Sequence, residues 1–283
     1  MCSPEFSGAL RQWRESGSYK PRAIYLSCGD SAATGLADRS VDLVLTDPPF
    51  FDNVHYSELA DFFYAWQQLT PRGFINGVAS TRAEGEVQDT DAERFAGKLR
   101  AVFLECHRVL RDEGLLVFTY HHSRDMGWTA VAEAVIGAGF TIVNAHPIKA
   151  EMSVATPKAQ AKEPIQLDIA IVCRKAPAVS PERPSREAAI AAAGEKLSRL
   201  ENAGFTLSRN DRKVALYGQL LTTLRSTEEL PDVAQAVERA QVGLLPRTKT
   251  RTLEPPDVRR PPMRGFGVPE ESLVQLPLFG REV

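Results

Sequence analysis

Apolar positions recur along this chain in two periods. Val41, Leu43, Val44 and Leu45 form a short branched run, which predicts a strand buried on both faces, as in a parallel sheet. Asp47-Pro48-Pro49 stops it, because proline lacks a backbone donor and holds its predecessor extended. A carboxylate therefore stands just beyond the carboxyl end of a strand, the edge where open α/β sheets bind ligands. Ser57 is placed to cap a helix in which Leu59, Phe62, Phe63 and Trp66 recur at helical spacing, and these side chains are expected in the core. A second helix is predicted from Asp91 to Leu110, with Phe95, Leu99, Val102, Phe103, Cys106 and Val109 on one face. Gly114 is expected to end it, and Leu115 to Tyr120 reads as a buried strand. Gly127 to Ala138 follows as a helix, then strands near Thr141 to Ile148 and Asp168 to Cys173. An earlier strand, Ala23 to Cys28, is closed by Gly29-Asp30-Ser31.

This alternation predicts an α/β core over residues 23–175, preceded by a polar extension over 1–22. Ala176 to Pro184 is rich in proline and small residues and reads as a linker. Helices are expected over Arg186 to Ala203, Asp211 to Leu224 and Leu230 to Gln241, so that 176–242 forms a helical appendage. In 243–283 proline and arginine alternate without apolar periodicity, the composition of a disordered tail.

Composition narrows the class. With 283 residues, 43% hydrophobic and 25% charged, the chain has the make-up of an ordinary globular protein. No apolar run approaches the roughly 20 residues of a membrane span, so no membrane role is expected. Cys2, Cys28, Cys106 and Cys173 are scattered, without a Cys-x-x-Cys pair. That pattern argues against a zinc ribbon or disulfide framework and for a reducing cytoplasm, and no metal site is expected. The net charge of −2 offers no global basic footprint, so contact with nucleic acid must come from local patches. Lys149, Lys158 and Lys162 in the loop Lys149 to Pro164 could grip phosphates, or simply keep a hairpin solvated.

The strand followed by Asp47-Pro48-Pro49-Phe50 resembles motif IV of the S-adenosylmethionine (AdoMet)-dependent amino-methyltransferases. The resemblance implies that the Asp47 carboxylate and the Pro48 carbonyl accept both hydrogens of an exocyclic amine. Pro49 would keep that turn rigid, and Phe50 would stack on a base extruded from the duplex. The wider run from Thr46 to Trp66 resembles a block of the large adenine-specific DNA methylases that carry an amino-terminal DUF1156 region. Glu113 to His122, Ala138 to Val143 and Asp168 to Lys175 extend that similarity. It implies a Rossmann-like class I methyltransferase sheet, AdoMet as cofactor, DNA as substrate and adenine N6 as the acceptor. The motif alone does not separate adenine N6 from cytosine N4, or DNA from RNA. Asp52, Asn53, Tyr56, Tyr120, His121 and His122 are candidates for contacting the target base. Asp30 is the candidate for contacting the adenine of AdoMet, against the alternative of a plain Gly-Asp turn.

Two features depart from the pattern or add to it. The glycine-rich loop that such enzymes place after the first sheet strand is absent from the sequence, and only 22 residues precede Ala23. The sheet is thus expected to be incomplete on its amino-terminal side. The loop would come from a second chain, or this chain would be a non-catalytic subunit. At the other end, Gln275-Leu276-Pro277-Leu278-Phe279 resembles the pentapeptide that binds the bacterial sliding clamp.

Overall fold

A computed structural model describes residues 29–52, 55–69, 80–150, 165–177 and 182–243. Its element order is β1 (Val41–Thr46), α1 (Tyr56–Gln68), α2 (Ala92–Val109), β2 (Leu110–Tyr120), α3 (Asp125–Gly137), β3 (Phe140–Lys149), β4 (Leu167–Lys175), α4 (Arg186–Asn202), α5 (Arg209–Leu220) and α6 (Leu230–Gly243). Four strands form one sheet in the order β1-β2-β4-β3. β1 runs parallel to β2, while β4 is antiparallel to both β2 and β3. This is the expected α/β architecture. The predicted strand Ala23 to Cys28, the extension 1–22 and the tail beyond Gly243 lie outside the described residues, as does most of the lysine-bearing loop.

Register separates the two faces of the sheet. Leu116 lies opposite Cys173, Phe118 opposite Ile171 and Tyr120 opposite Ile169, and all six are buried. Because side chains alternate along a strand, these residues share one face, and helices cover it. The Phe103 ring of α2 lies 5.2 Å from Phe118, and Trp128 of α3 lies 5.3 Å from Tyr120. Tyr217 of α5 stacks on Trp128 at 5.0 Å. Gly218 lets α5 close on the sheet, since a Cβ there would come within 2.9 Å of Ile169. The other face carries Leu43, Leu45, Leu115, Val117, Thr119, Ala170 and Val172. Among the described residues, no helix packs on it.

Four local expectations are corrected. β1 is not buried on both faces: Leu43 is 51% and Leu45 71% exposed, because among the described residues no helix covers that face and β1 pairs with β2 alone. The apolar stripe of α1 is not core either. Leu59, Phe62, Phe63 and Trp66 are 60–65% exposed, and Tyr64 is the buried residue of that helix. Ser57 does not cap α1, because His55 occupies the cap position and Ser57 gives its backbone N–H to Glu86. Gly114 does not end α2. Asp91 caps that helix, which stops at Val109, and the strand starts at Leu110, so Gly114 lies within β2. A side chain there would meet Leu110 Cδ2 at 2.9 Å and the Asp42 carbonyl at 3.2 Å. Close approach of the start of β2 and of β1, rather than a helix stop, explains this glycine.

Candidate functional site

β1 delivers Asp47 to the carboxyl edge of the sheet. Thr46 pairs with Phe118 in the parallel register, so the next residues, Asp47 and Thr119, are lateral neighbours. The Thr119 hydroxyl donates a hydrogen bond to Asp47 Oδ1. Asp47 is exposed, whereas Pro48 is buried and anchors the turn. Alternation puts Asp47 and Thr119 on the open face, in line with Leu45 and Val117.

Phe50 follows, half-buried, with its ring edge-on to Tyr120 at 5.2 Å and to His121 at 4.6 Å. His121 is held from the next strand, its Nδ1 hydrogen-bonded to Asp168 Oδ1. Asp47, Thr119, His121 and Asp168 thus form a polar row across the ends of β1, β2 and β4, and Phe50 leans on it.

The turn is pinned from beneath. Phe51 is 1% exposed and packs on Phe95 at 5.5 Å. His122 Nε2 donates to the Phe51 carbonyl at 2.8 Å, and its Nδ1 meets the Arg124 backbone at 3.0 Å. Burial pushes the His122 pKa below the ordinary imidazole value. Trp128 Nε1 donates to the His122 carbonyl at 2.9 Å, and the Tyr120 hydroxyl donates to the Gly127 carbonyl at 2.9 Å. Burial raises the Tyr120 pKa. Tyr120 and His122 therefore lie in the interior, where they hold the Phe50-Phe51 turn. Asp52 adopts a left-handed φ of 45°, tolerated best by Asn and Asp among side-chain-bearing residues. Its carboxylate accepts from Arg124 Nη2 at 2.8 Å, and that bond holds its pKa below the usual carboxylate range.

The remaining candidates lie apart from this row. Asp30 sits in an exposed turn, its Oδ1 accepting from Ala32 N at 2.8 Å. Tyr56 opens α1, is 51% exposed and donates its backbone N–H to Gln88 at 3.0 Å. Asn53 and the segment Gln275, Leu276, Leu278 and Phe279 lie outside the described residues. Thr119, Asp168 and Arg124 were not singled out from the sequence. For Thr119 a signal existed, since a hydroxyl on the alternate face at a strand's carboxyl end can reach a neighbouring carboxylate. Among the described residues, no group of three or more His, Cys, Asp or Glu gathers to hold a metal.

No protein-family model matches the chain, and no curated protein matches it. Among solved structures it is similar to TTHA0409 of Thermus thermophilus, a protein proposed to be a DNA modification methylase. Identity is 17% and the TM-score 0.32, over 59% of this chain and 57% of that one. The complex of TTHA0409 with S-adenosyl-L-methionine gives 14% identity and a TM-score of 0.31, over 78% and 93% of the two chains. Likenesses this distant leave the reading of the site to the chain's own residues.

Proposed function

We propose that this chain carries the target-base side of an AdoMet-dependent DNA amino-methyltransferase, with adenine N6 as the acceptor. The observation that carries the reading is the row at the carboxyl edge: Asp47 oriented by Thr119, with Phe50 braced by His121. An exocyclic amine is a poor nucleophile because its lone pair is delocalised into the ring. The Asp47 carboxylate and the Pro48 carbonyl would accept its two hydrogens and so favour a lone pair directed at the electrophile. The exposed part of the Phe50 ring would stack on the extruded base. AdoMet, when bound, would supply the electrophilic methyl group.

The described residues do not fit the cofactor itself. Asp30 turns its carboxylate back onto its own backbone, and a glycine-rich loop is missing from the sequence. We therefore place the cofactor side outside the described residues, on further sequence of the same protein or on a second polypeptide. The bacterial sliding clamp remains a proposed ligand of Leu278 and Phe279. The test is transfer of labelled methyl from AdoMet to unmethylated DNA by the chain co-expressed with its neighbouring reading frames, with nucleosides identified by mass spectrometry. The expected product is N6-methyladenine, abolished by Asp47→Ala. N4-methylcytosine would overturn the base assignment, and no transfer under any combination would overturn the function.

A further inference from the structure

Arg183 is half-buried at the start of β3, where its Nη2 donates to the Thr141 hydroxyl oxygen at 2.8 Å. Its Nε is shut off from solvent and has no hydrogen-bond partner. Among the described residues, neither Arg183 nor Arg225 pairs its guanidinium with a carboxylate. Charges taken out of water are ordinarily paired, because the lost hydration is otherwise uncompensated. Burial, and after it the like charge of Arg225, hold the Arg183 pKa below the ordinary guanidinium value, with the Glu229 carboxylate opposing them. Glu229 is engaged elsewhere, accepting the Arg225 backbone N–H at 2.9 Å.

Both arginines line one cavity of about 230 Å³. Ile142, Leu221 and Leu224 give it an apolar floor, each at most 5% exposed. Against such a floor an ion pair is stronger than in water. Thr141 also lines the cavity and is 6% exposed. Its hydroxyl oxygen accepts from Arg183, which leaves the hydroxyl hydrogen free to be donated. A carboxylate would offer two oxygens and one charge to these three groups. A phosphoryl group offers three acceptor oxygens and about −1.5 to −2 charges, and guanidinium forks match its geometry. At ~30 Å³ per water, the cavity has room for about seven waters. That volume admits a phosphoryl group with a short stem and falls below the ~300–1,000 Å³ of sites for larger ligands.

We propose that this cavity binds a phosphoryl group, as inorganic phosphate or a small phosphomonoester, between Arg183 and Arg225 with the Thr141 hydroxyl as third donor. The site goes beyond the proposed methyl transfer. β4 is antiparallel to both β2 and β3, so β3 runs in the direction of β2, and Thr141 near its start lies at the opposite end of the sheet from Asp47. The cavity wall combines β3 with Ile136 of α3 and the segment after α5. An anion held there ties the helical appendage to the sheet, and a ligand bound only by the folded chain raises its melting temperature.

The test is phosphorus NMR and thermal melting of the full chain, titrated with inorganic phosphate at constant ionic strength. Saturable line broadening at millimolar concentrations or below is expected, with a melting temperature that rises with phosphate and not with chloride. Arg225→Gln, at an exposed position, should weaken binding at least tenfold and leave the melting temperature of the phosphate-free chain unchanged. Arg183→Gln should weaken binding further, and Arg225→Gln carries the test alone where Arg183→Gln does not fold. Glycerol phosphate titrated in parallel separates the sources: tighter binding than inorganic phosphate assigns a monoester, weaker binding assigns the free anion. Absence of saturation, an equal response to chloride, or unchanged binding by Arg225→Gln would each overturn the proposal. So would displacement of bound phosphate by duplex DNA as readily as by glycerol phosphate. Methyl transfer has no part in these readouts, so its failure would leave the anion site standing.

Discussion

Thr119 and Asp47 meet because two parallel strands end at the same height, and that contact separates activity from stability. Asp47 is exposed, so Asp47→Ala should leave the urea midpoint unchanged. Methyl transfer by the active assembly should still fall about 10²–10³-fold, the usual cost of removing one oriented group at a reacting centre. Thr119→Val removes the bond that orients the carboxylate. A hydrogen bond to a charged group is worth about 1.5–3 kcal/mol, and a loss of at least tenfold in kcat with little change in KM for DNA is expected. His122 acts on the fold instead. Burial lowers its pKa, so the unfolded chain takes up a proton more readily than the folded one. Its contribution is complete above the unfolded value, about 6.5, and is lost as pH falls below that. Glu105 behaves separately. Its bond from Arg108 holds its pKa down to about 2, so its contribution is lost only below the ordinary carboxylate value. Melting temperatures should therefore drop in two steps on acidification, and replacing His122 should shrink the upper one, to which burial of His107 and His146 also contributes.

At the scale of elements, one carboxylate ties α5 to β4. Asp211 is fully buried. Its Oδ1 accepts from Gln166 N at 2.7 Å and Leu167 N at 3.1 Å, and its Oδ2 accepts from Ser208 N at 2.8 Å. The same residues form a capping box at the start of α5. Ser208→Ala should cost about 1 kcal/mol, as for a helix cap. Asp211→Ala, which strands buried donors on two elements, should cost about 3 kcal/mol. Denaturant titration of the two variants checks the difference. At the start of α3, a Cβ on Gly127 would collide with the His122 ring. Gly127→Ala should destabilise by about 1–3 kcal/mol, as overpacking does, and should loosen the Phe50-Phe51 turn that His122 holds.

Among the described residues the sheet has one covered face and one open face, and its tolerance of charge should follow. Leu43→Lys with Leu45→Lys, at exposed positions, should leave the urea midpoint of the chain unchanged. Leu116→Lys, on the covered face where Leu116 is 0% exposed, should unfold the chain. Two strands away from each other in sequence thus differ in tolerance for one reason: a helix covers one face and not the other.

Much of this was legible in the residues. Periodicity located α2, α3, β2, β3 and β4 to within a few positions, because each buries its stripe against something this chain itself supplies. The Asp-Pro-Pro turn was legible for a similarly local reason, since proline restricts its neighbours wherever it stands. Periodicity identifies an apolar face but not what covers it. Leu59, Phe62, Phe63 and Trp66 have core spacing and face water, and Leu43 and Leu45 lie exposed on a strand that pairs with β2. Position along the chain likewise left Asp168 and Thr119 far from Phe50 and Asp47. Strand register alone brought them to one edge, because pairing is set by the packing of distant segments and not by the residues on either side.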